Sequence, residues 1–372
     1  MAQKHKIIFL LLLALFIIFS VMFYYLKLQK KEYIIGSSLP LKGIMSNMGE
    51  SVKLGTEISF NIYKNRLKNK VIYQFLDDKY EPQLTFENIK NLYSHNLFLL
   101  YGIIGTPTVK KILPFLNDNS LFLYAPFSGA NFLRKNRYIL NFRASYKDEI
   151  KKIINYLTKN SISKFAVFYQ DDEYGNEIYY YTHQILKEKN LSLKAKGPYK
   201  RNTFVIDFAL KEISSQKPQA IIMGSTSEVS AMFIKRYKKN DPDVLFCTIS
   251  FINPDKLISL LENKKNVIFS TVVPYYNDPS IKEAVLFKKE LKKLYPNKKP
   301  SFLAFEAYLV NKILLNALQQ LSFPYTTSHL MDIIKATPKN FLKGISIEFK
   351  NNQLSNKTFL FKYENNKFKE LK

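Results

Sequence analysis

Hydrophobic positions along this chain alternate between short unbroken runs and stretches with helical spacing. Tyr33 to Leu39 predicts a strand, and Ser51 to Asn65 predicts a helix with Val52, Gly55, Ile58 and Ile62 on one face. Val71 to Asp77 predicts the next strand and Thr85 to Ser94 the next helix. Two strand–loop–helix units follow. Leu99 to Gly105 runs into Thr106-Pro107-Thr108 ahead of the helical run Val109 to Leu116, and Leu121 to Ala125 runs into Pro126-Phe127-Ser128-Gly129-Ala130. Strands alternating with helices of this length predict parallel βαβ units. In open sheets of that kind ligands bind beyond the carboxyl ends of the strands. Thr106 reads as an N-cap with Pro107 at the first helical position. The amides that follow lack intrahelical acceptors and can hold a carboxylate or phosphate. An ordinary capped helix accounts for the same residues.

Asn141 to Tyr146 is a short extended link, after which the rhythm restarts. Helix Asp148 to Lys159, strand Phe165 to Tyr169 and the loop Gln170 to Gly175 lead into a long helix through Lys189. Then come helix Val205 to Ser214, strand Ala220 to Met223, the loop Gly224-Ser225-Thr226-Ser227 and helix Glu228 to Lys239. Strand Val244 to Ile249 and helix Pro254 to Leu261 precede a second link at Ile268 to Pro274. Ala284 to Leu294 and Phe302 to Leu321 are helical, and a short helix near Met331 to Ile334 follows them. A closing hairpin is expected from Ile345 to Phe349 and Thr358 to Tyr363. The pattern gives two similar α/β halves.

Ile7 to Leu26 carries no charge and is flanked by Lys4, Lys6 and Lys27. At about 1.5 Å per residue it spans roughly 30 Å, the thickness of a bilayer core. A cleaved signal peptide needs small residues before its cut site in an A-x-A-like pattern, and Phe19 to Tyr25 offers no such pattern, so an uncleaved anchor is the expected reading. The rest of the chain is then expected on the extracytoplasmic face.

Composition narrows the chemistry further. A length of 372 residues favours two domains, and 47% hydrophobic residues exclude wholesale disorder. The net charge of +26 suggests nucleic acid or an acidic surface. Its lysines are scattered, however, as in Lys110-Lys111 and Lys292-Lys293, with no arginine-rich block, so nucleic acid is not an expected partner. The single Cys247 lies in an apolar run and excludes an intrachain disulfide. The four histidines show no metal-ligand spacing, and no metal or cofactor is expected. Gly36-Ser37-Ser38-Leu39-Pro40-Leu41 fails the dinucleotide fingerprint, and Gly102 to Thr106 lacks the Lys-Ser/Thr ending of a P-loop. No nucleophile elbow is present. Non-catalytic function is the expectation.

Several short motifs stand in a recognisable order. They are Pro40-Leu41-Lys42-Gly43, Asp77-Asp78 with Pro82, Gly105-Thr106-Pro107-Thr108, Leu113-Pro114, Pro126 to Ala130 with Leu133-Arg134, Asn141 to Tyr146, Val167 to Gly175 and Ala231 to Lys235. Together they resemble the periplasmic solute-binding proteins of the leucine/isoleucine/valine-binding type, the receptor components of ABC transporters. The resemblance implies two doubly wound parallel-sheet lobes joined by three crossovers, preceded here by a transmembrane helix. Residues 1–32 would be the anchor in the inner membrane, 33–142 plus 274–343 the first lobe, and 143–273 plus 344–372 the second. A small polar solute, amino-acid-like, would lie between the lobes, and the partner would be an ABC permease or a membrane signalling protein.

Carried over by position, the ligand carboxylate would meet Thr106 and Thr108 and the backbone of Phe127, Ser128 and Gly129. Tyr174, Ser225 and Thr226 would border it from the second lobe. The chain departs from the family at two places. Phe246 to Pro254 lacks the acid that pairs with an amino-acid ammonium, leaving Glu306 or Asp171 to substitute, and Gly129 stands where a threonine hydroxyl can occur.

Overall fold

The computed structural model describes residues 2–28, 32–323 and 325–371. Helix α1 (Ala2–Leu28) comes first, and its described apolar side chains between Phe9 and Tyr24 stand exposed. Among the described residues no helix is long and apolar enough to cross a membrane. The expected span over residues 7–26 is therefore not carried by the structure. The side chains of residues 7, 8, 23, 25 and 26 lie outside the described ones.

The first sheet uses β1 (Glu32–Leu39), β2 (Lys70–Asp77), β3 (Leu97–Tyr101), β4 (Leu123–Tyr124) and β5 (Ile139–Leu140). They pair in the order β2-β1-β3-β4-β5, all parallel. Helices α2 (Ser46–Tyr63), α3 (Pro82–Ser94) and α4 (Thr106–Asp118) cross between these strands. Parallel pairing requires such crossovers. The core positions Ile35, Leu99, Leu100, Tyr101 and Leu123 are fully buried, as strands covered on both faces demand.

The chain then enters a second sheet through α5 (Tyr146–Lys159), opened by a capping box between Ser145 and Asp148. Strands β6 (Phe165–Gln170), β7 (Leu193–Tyr199), β8 (Ala220–Gly224), β9 (Leu245–Thr248) and β10 (Val267–Thr271) alternate with α6 (Glu173–Glu188), α7 (Asp207–Ser215), α8 (Ser227–Tyr237) and α9 (Pro254–Leu260). The chain returns to the first sheet with α10 (Lys282–Leu294), α11 (Phe302–Gln320) and α12 (Thr327–Lys335). Helix α11 packs along α2, and both of its faces are buried. Finally β11 (Phe359–Glu364) and β12 (Lys367–Leu371) join the second sheet, giving the order β12-β11-β10-β9-β8-β6-β7. The α/β class with parallel sheets is as the pattern predicts.

The closing hairpin differs from expectation. Its strands are β11 and β12, paired antiparallel from Leu360–Leu371 to Glu364–Lys367, while residues 345–349 form no strand. The turn is Asn365-Asn366, both with positive φ (50° and 58°), which suits a two-residue hairpin loop. The alternation at Ile345 and Ile347 imitates a strand because Ile347 is buried under loop contacts.

Candidate functional site

Loops at the carboxyl ends of the two sheets face each other and are tied together. From the first sheet, the turn after β2 presents Tyr80, whose backbone is held in the left-handed region (φ 63°) although its ring is fully buried. That conformation costs a bulky residue about 1–3 kcal/mol and persists only where surroundings enforce it. They do. Arg201 donates from Nη1 to the Tyr80 carbonyl at 2.5 Å, and Gln170 donates from Nε2 to its hydroxyl at 3.3 Å. Arg201 also pairs with Glu81 at 3.0 Å, and Asn253 donates to Asn47 at 2.8 Å. These contacts join loops of opposite sheets.

The residues expected to border a ligand are brought together and buried. Gly105 is the N-cap of α4, with φ at 103°, so Thr106 and Pro107 are the first two helical residues. Thr106 is thus not the cap expected from sequence, and its hydroxyl instead lies 2.8 Å from that of Ser128. Thr108 is turned back onto its own helix, donating to the carbonyls of Ile104 and Gly105. The Phe127 ring lies beneath the Arg143 guanidinium at 5.6 Å. On the opposing side, Asp172 caps α6 by accepting from the amides of Tyr174 and Gly175. Tyr174 donates to the Ser225 carbonyl at 3.2 Å, and its ring packs on Phe251 at 4.5 Å and on Tyr146 at 5.5 Å. The Thr226 amide donates to Tyr199, and its side-chain Oγ1 is buried without a partner.

Of the two candidate acids, one is held in a buried ion pair and the other is exposed. Glu306 accepts from Nε and Nη2 of Arg143 at 2.9 and 2.6 Å, with both side chains buried. Burial pulls the Arg143 guanidinium down, and the Glu306 carboxylate more than offsets it, leaving it above its ordinary value. Asp171 is exposed. Instead, an acid that sequence reasoning missed reaches the loop after β9. Glu149 of α5 accepts from the Ser250 amide and hydroxyl at 2.8 and 2.7 Å and from Ser270 at 2.7 Å. Burial pushes its carboxyl up, more than the hydrogen bonds from Ser250 and Ser270 and the charge of Arg143 pull it down. Tyr80, Tyr146 and Phe251 were also missed; being aromatic, they carry no sequence signal distinguishing them from core.

Two buried carboxyls make the assembly sensitive to pH. Desolvation raises Asp78 and Asp172 to about 6 each, against their hydrogen-bond donors. The unfolded value is about 3.9. Below pH about 4 both states hold the proton, so the stability linked to these groups is fully present; it is lost as pH rises through about 6. Each group contributes on the order of 2–3 kcal/mol across that window. A carbon-detected NMR titration should give Asp78 a midpoint near pH 6, and one at or below 4 refutes the account.

A family model described as periplasmic binding protein matches residues 32–367. The chain belongs to that family. Among solved structures, a possible leucine/isoleucine/valine-binding protein from Rhodopirellula baltica is similar at 24% identity and TM-score 0.87, covering 92% of this chain and 96% of its own. A leucine-binding protein from Thermotoga maritima is similar at 17% identity and TM-score 0.82, covering 91% and 98%. The branched-chain amino acid transporter substrate-binding protein LivJ of Streptococcus pneumoniae, solved with isoleucine, follows at 14% identity and TM-score 0.78, covering 91% and 98%. These likenesses establish the shared fold. No curated protein matches the chain in sequence.

Proposed function

We propose that this chain is an extracytoplasmic receptor that closes around a small polar, amino-acid-like solute and passes it to an ABC permease, without catalysis. The observation that supports it most is the burial of Thr106 and Ser128 beside one sheet and of Tyr174, Ser225 and Thr226 beside the other, with Tyr146 between them, touching Thr106 and the Tyr174 ring. Hinge closure of two lobes about such a lining is a means of ligand capture. Only the difference in ligand affinity between open and closed forms can drive it. The first lobe is assigned residues 33–142 plus 274–343 and the second 143–273 plus 344–372.

A thermal-shift screen of amino acids, amides, carboxylates and purines tests the proposal. A solute at about 100 times its Kd should stabilise the fold by roughly 2.7 kcal/mol. For that solute, Thr106→Val, which frees Ser128 and Tyr146, and Tyr174→Phe, which frees the Ser225 carbonyl, should each weaken calorimetric affinity about tenfold, the loss of one buried hydrogen bond that shapes the cleft at about 1.4 kcal/mol. Unchanged affinity in both variants argues against this cleft. A second reading, a tethered sensor for a membrane signalling protein, is favoured by the uncharged run 7–26 and its lack of an A-x-A-like cut site. Sequencing the N-terminus of the mature protein distinguishes them: a start beyond residue 26 removes the tether.

A further inference from the structure

The carboxylate cradle expected at the start of α4 already has an occupant. Tyr146, the first residue of α5, is fully buried, and its hydroxyl lies 3.5 Å from the Thr106 hydroxyl. The Ser128 hydroxyl, bonded to that of Thr106 at 2.8 Å, and the Gly129 backbone lie beside it. In the receptor reading a ligand carboxylate would meet the Thr106 hydroxyl and the backbone of Ser128 and Gly129, so the phenol stands in its place. The backbone fixes the arrangement as well, since the Tyr146 amide donates to the Gly129 carbonyl at 2.8 Å.

Gly129 and Tyr146 explain each other. A Cβ built on Gly129 would lie 2.4 and 2.6 Å from Cδ1 and Cε1 of the tyrosine ring, closer than real Cβ contacts allow. The ring therefore needs glycine at 129, where a side-chain hydroxyl is otherwise an option, and supplies a hydroxyl of its own from the opposite direction. The buried phenol fills the space a carboxylate would need beside Thr106 and Gly129, so the charge cannot reach their donors. Seating a charge there means leaving it short of hydrogen bonds in a buried site. Aromatic rings of Tyr174 and Phe251 back the tyrosine at 5.5 Å from Tyr146 and 4.5 Å from each other, so its ring has no polar alternative position nearby.

We infer that Tyr146 is a specificity-determining residue which fills the anion cradle of Thr106, Ser128 and Gly129, so that the solute this receptor accepts carries no free carboxylate at that end. This rests on the receptor reading above and narrows its amino-acid-like ligand to neutral counterparts such as amides.

The test compares leucine, isoleucine and valine with their amides by calorimetry on the full chain and on Tyr146→Ala. The native chain should bind each amino acid no more tightly than its amide. Tyr146→Ala should gain at least tenfold in affinity for the amino acids over the amides, and added phenol, refilling the space, should compete with that gain. If Tyr146→Ala fails to fold, Tyr146→Leu keeps the apolar packing while removing the hydroxyl beside Thr106, and should show the same gain. A native chain that prefers the carboxylates tenfold, or folded variants that gain nothing, overturns the inference. A native chain silent to every neutral solute in the broad screen counts instead against the receptor reading. The gain in the variants then still reports on the cradle by itself.

Discussion

Glu306→Gln should destabilise the protein by about 3–5 kcal/mol in urea unfolding, because it strands the Arg143 guanidinium in a buried site. Arg143 is only 1% exposed, and its Nη1 has no hydrogen-bond partner among the described residues, so losing the two carboxylate oxygens leaves the guanidinium short of acceptors. The pair ties the link after β5 to α11, so a shift of the link accompanies the loss. Replacing both partners together, Arg143→Met with Glu306→Leu, should recover most of the stability, since well-packed apolar groups avoid the desolvation of two charges. A single-variant loss under about 1 kcal/mol would show that the pair is hydrated in solution.

Gly175→Ala should cost about 3 kcal/mol and remove solute binding altogether. A Cβ there would sit 1.8 Å from the Gln170 carbonyl oxygen and 2.8 Å from the Gln170 carbonyl carbon and amide nitrogen. These are backbone atoms of β6 that no rotamer change can move, so the start of α6 must lift off the strand. That lift carries Tyr174 away from Ser225 and breaks the Asp172 cap in one step. Melting curves together with calorimetry check it. A variant that melts normally and still binds would show that the turn can relax without cost.

Much of the fold was legible because its signals are local. The unbroken runs at 99–101 and 220–223 and the helical spacing at 52, 55 and 58 each fix an element by short-range pattern, and the loops at 105–108, 126–130 and 170–175 follow from where those elements stop. The Tyr146 ring was not legible. Sequence places it at the end of an extended link, whereas it opens α5, and its direction depends on an absent side chain at Gly129 and on the hydroxyl at 106. The acid serving the 246–254 loop was missed for the same reason: Glu149 lies about a hundred positions upstream and is joined to Ser250 only by tertiary packing. The final hairpin was misplaced although Asn365-Asn366 marked its turn, because the Ile345 and Ile347 alternation gave a competing local signal.

The β11–β12 hairpin also has a protective effect. It pairs with β10 through Thr271–Phe359 to Ile268–Lys362, covering backbone donors and acceptors that would otherwise form the open margin of a parallel sheet. Bare margins of that kind recruit strands from neighbouring molecules. A polypeptide released prematurely, before Phe359 is synthesised, would therefore expose an adhesive seam and associate with its own copies; completing the last few residues is what keeps the product dispersed.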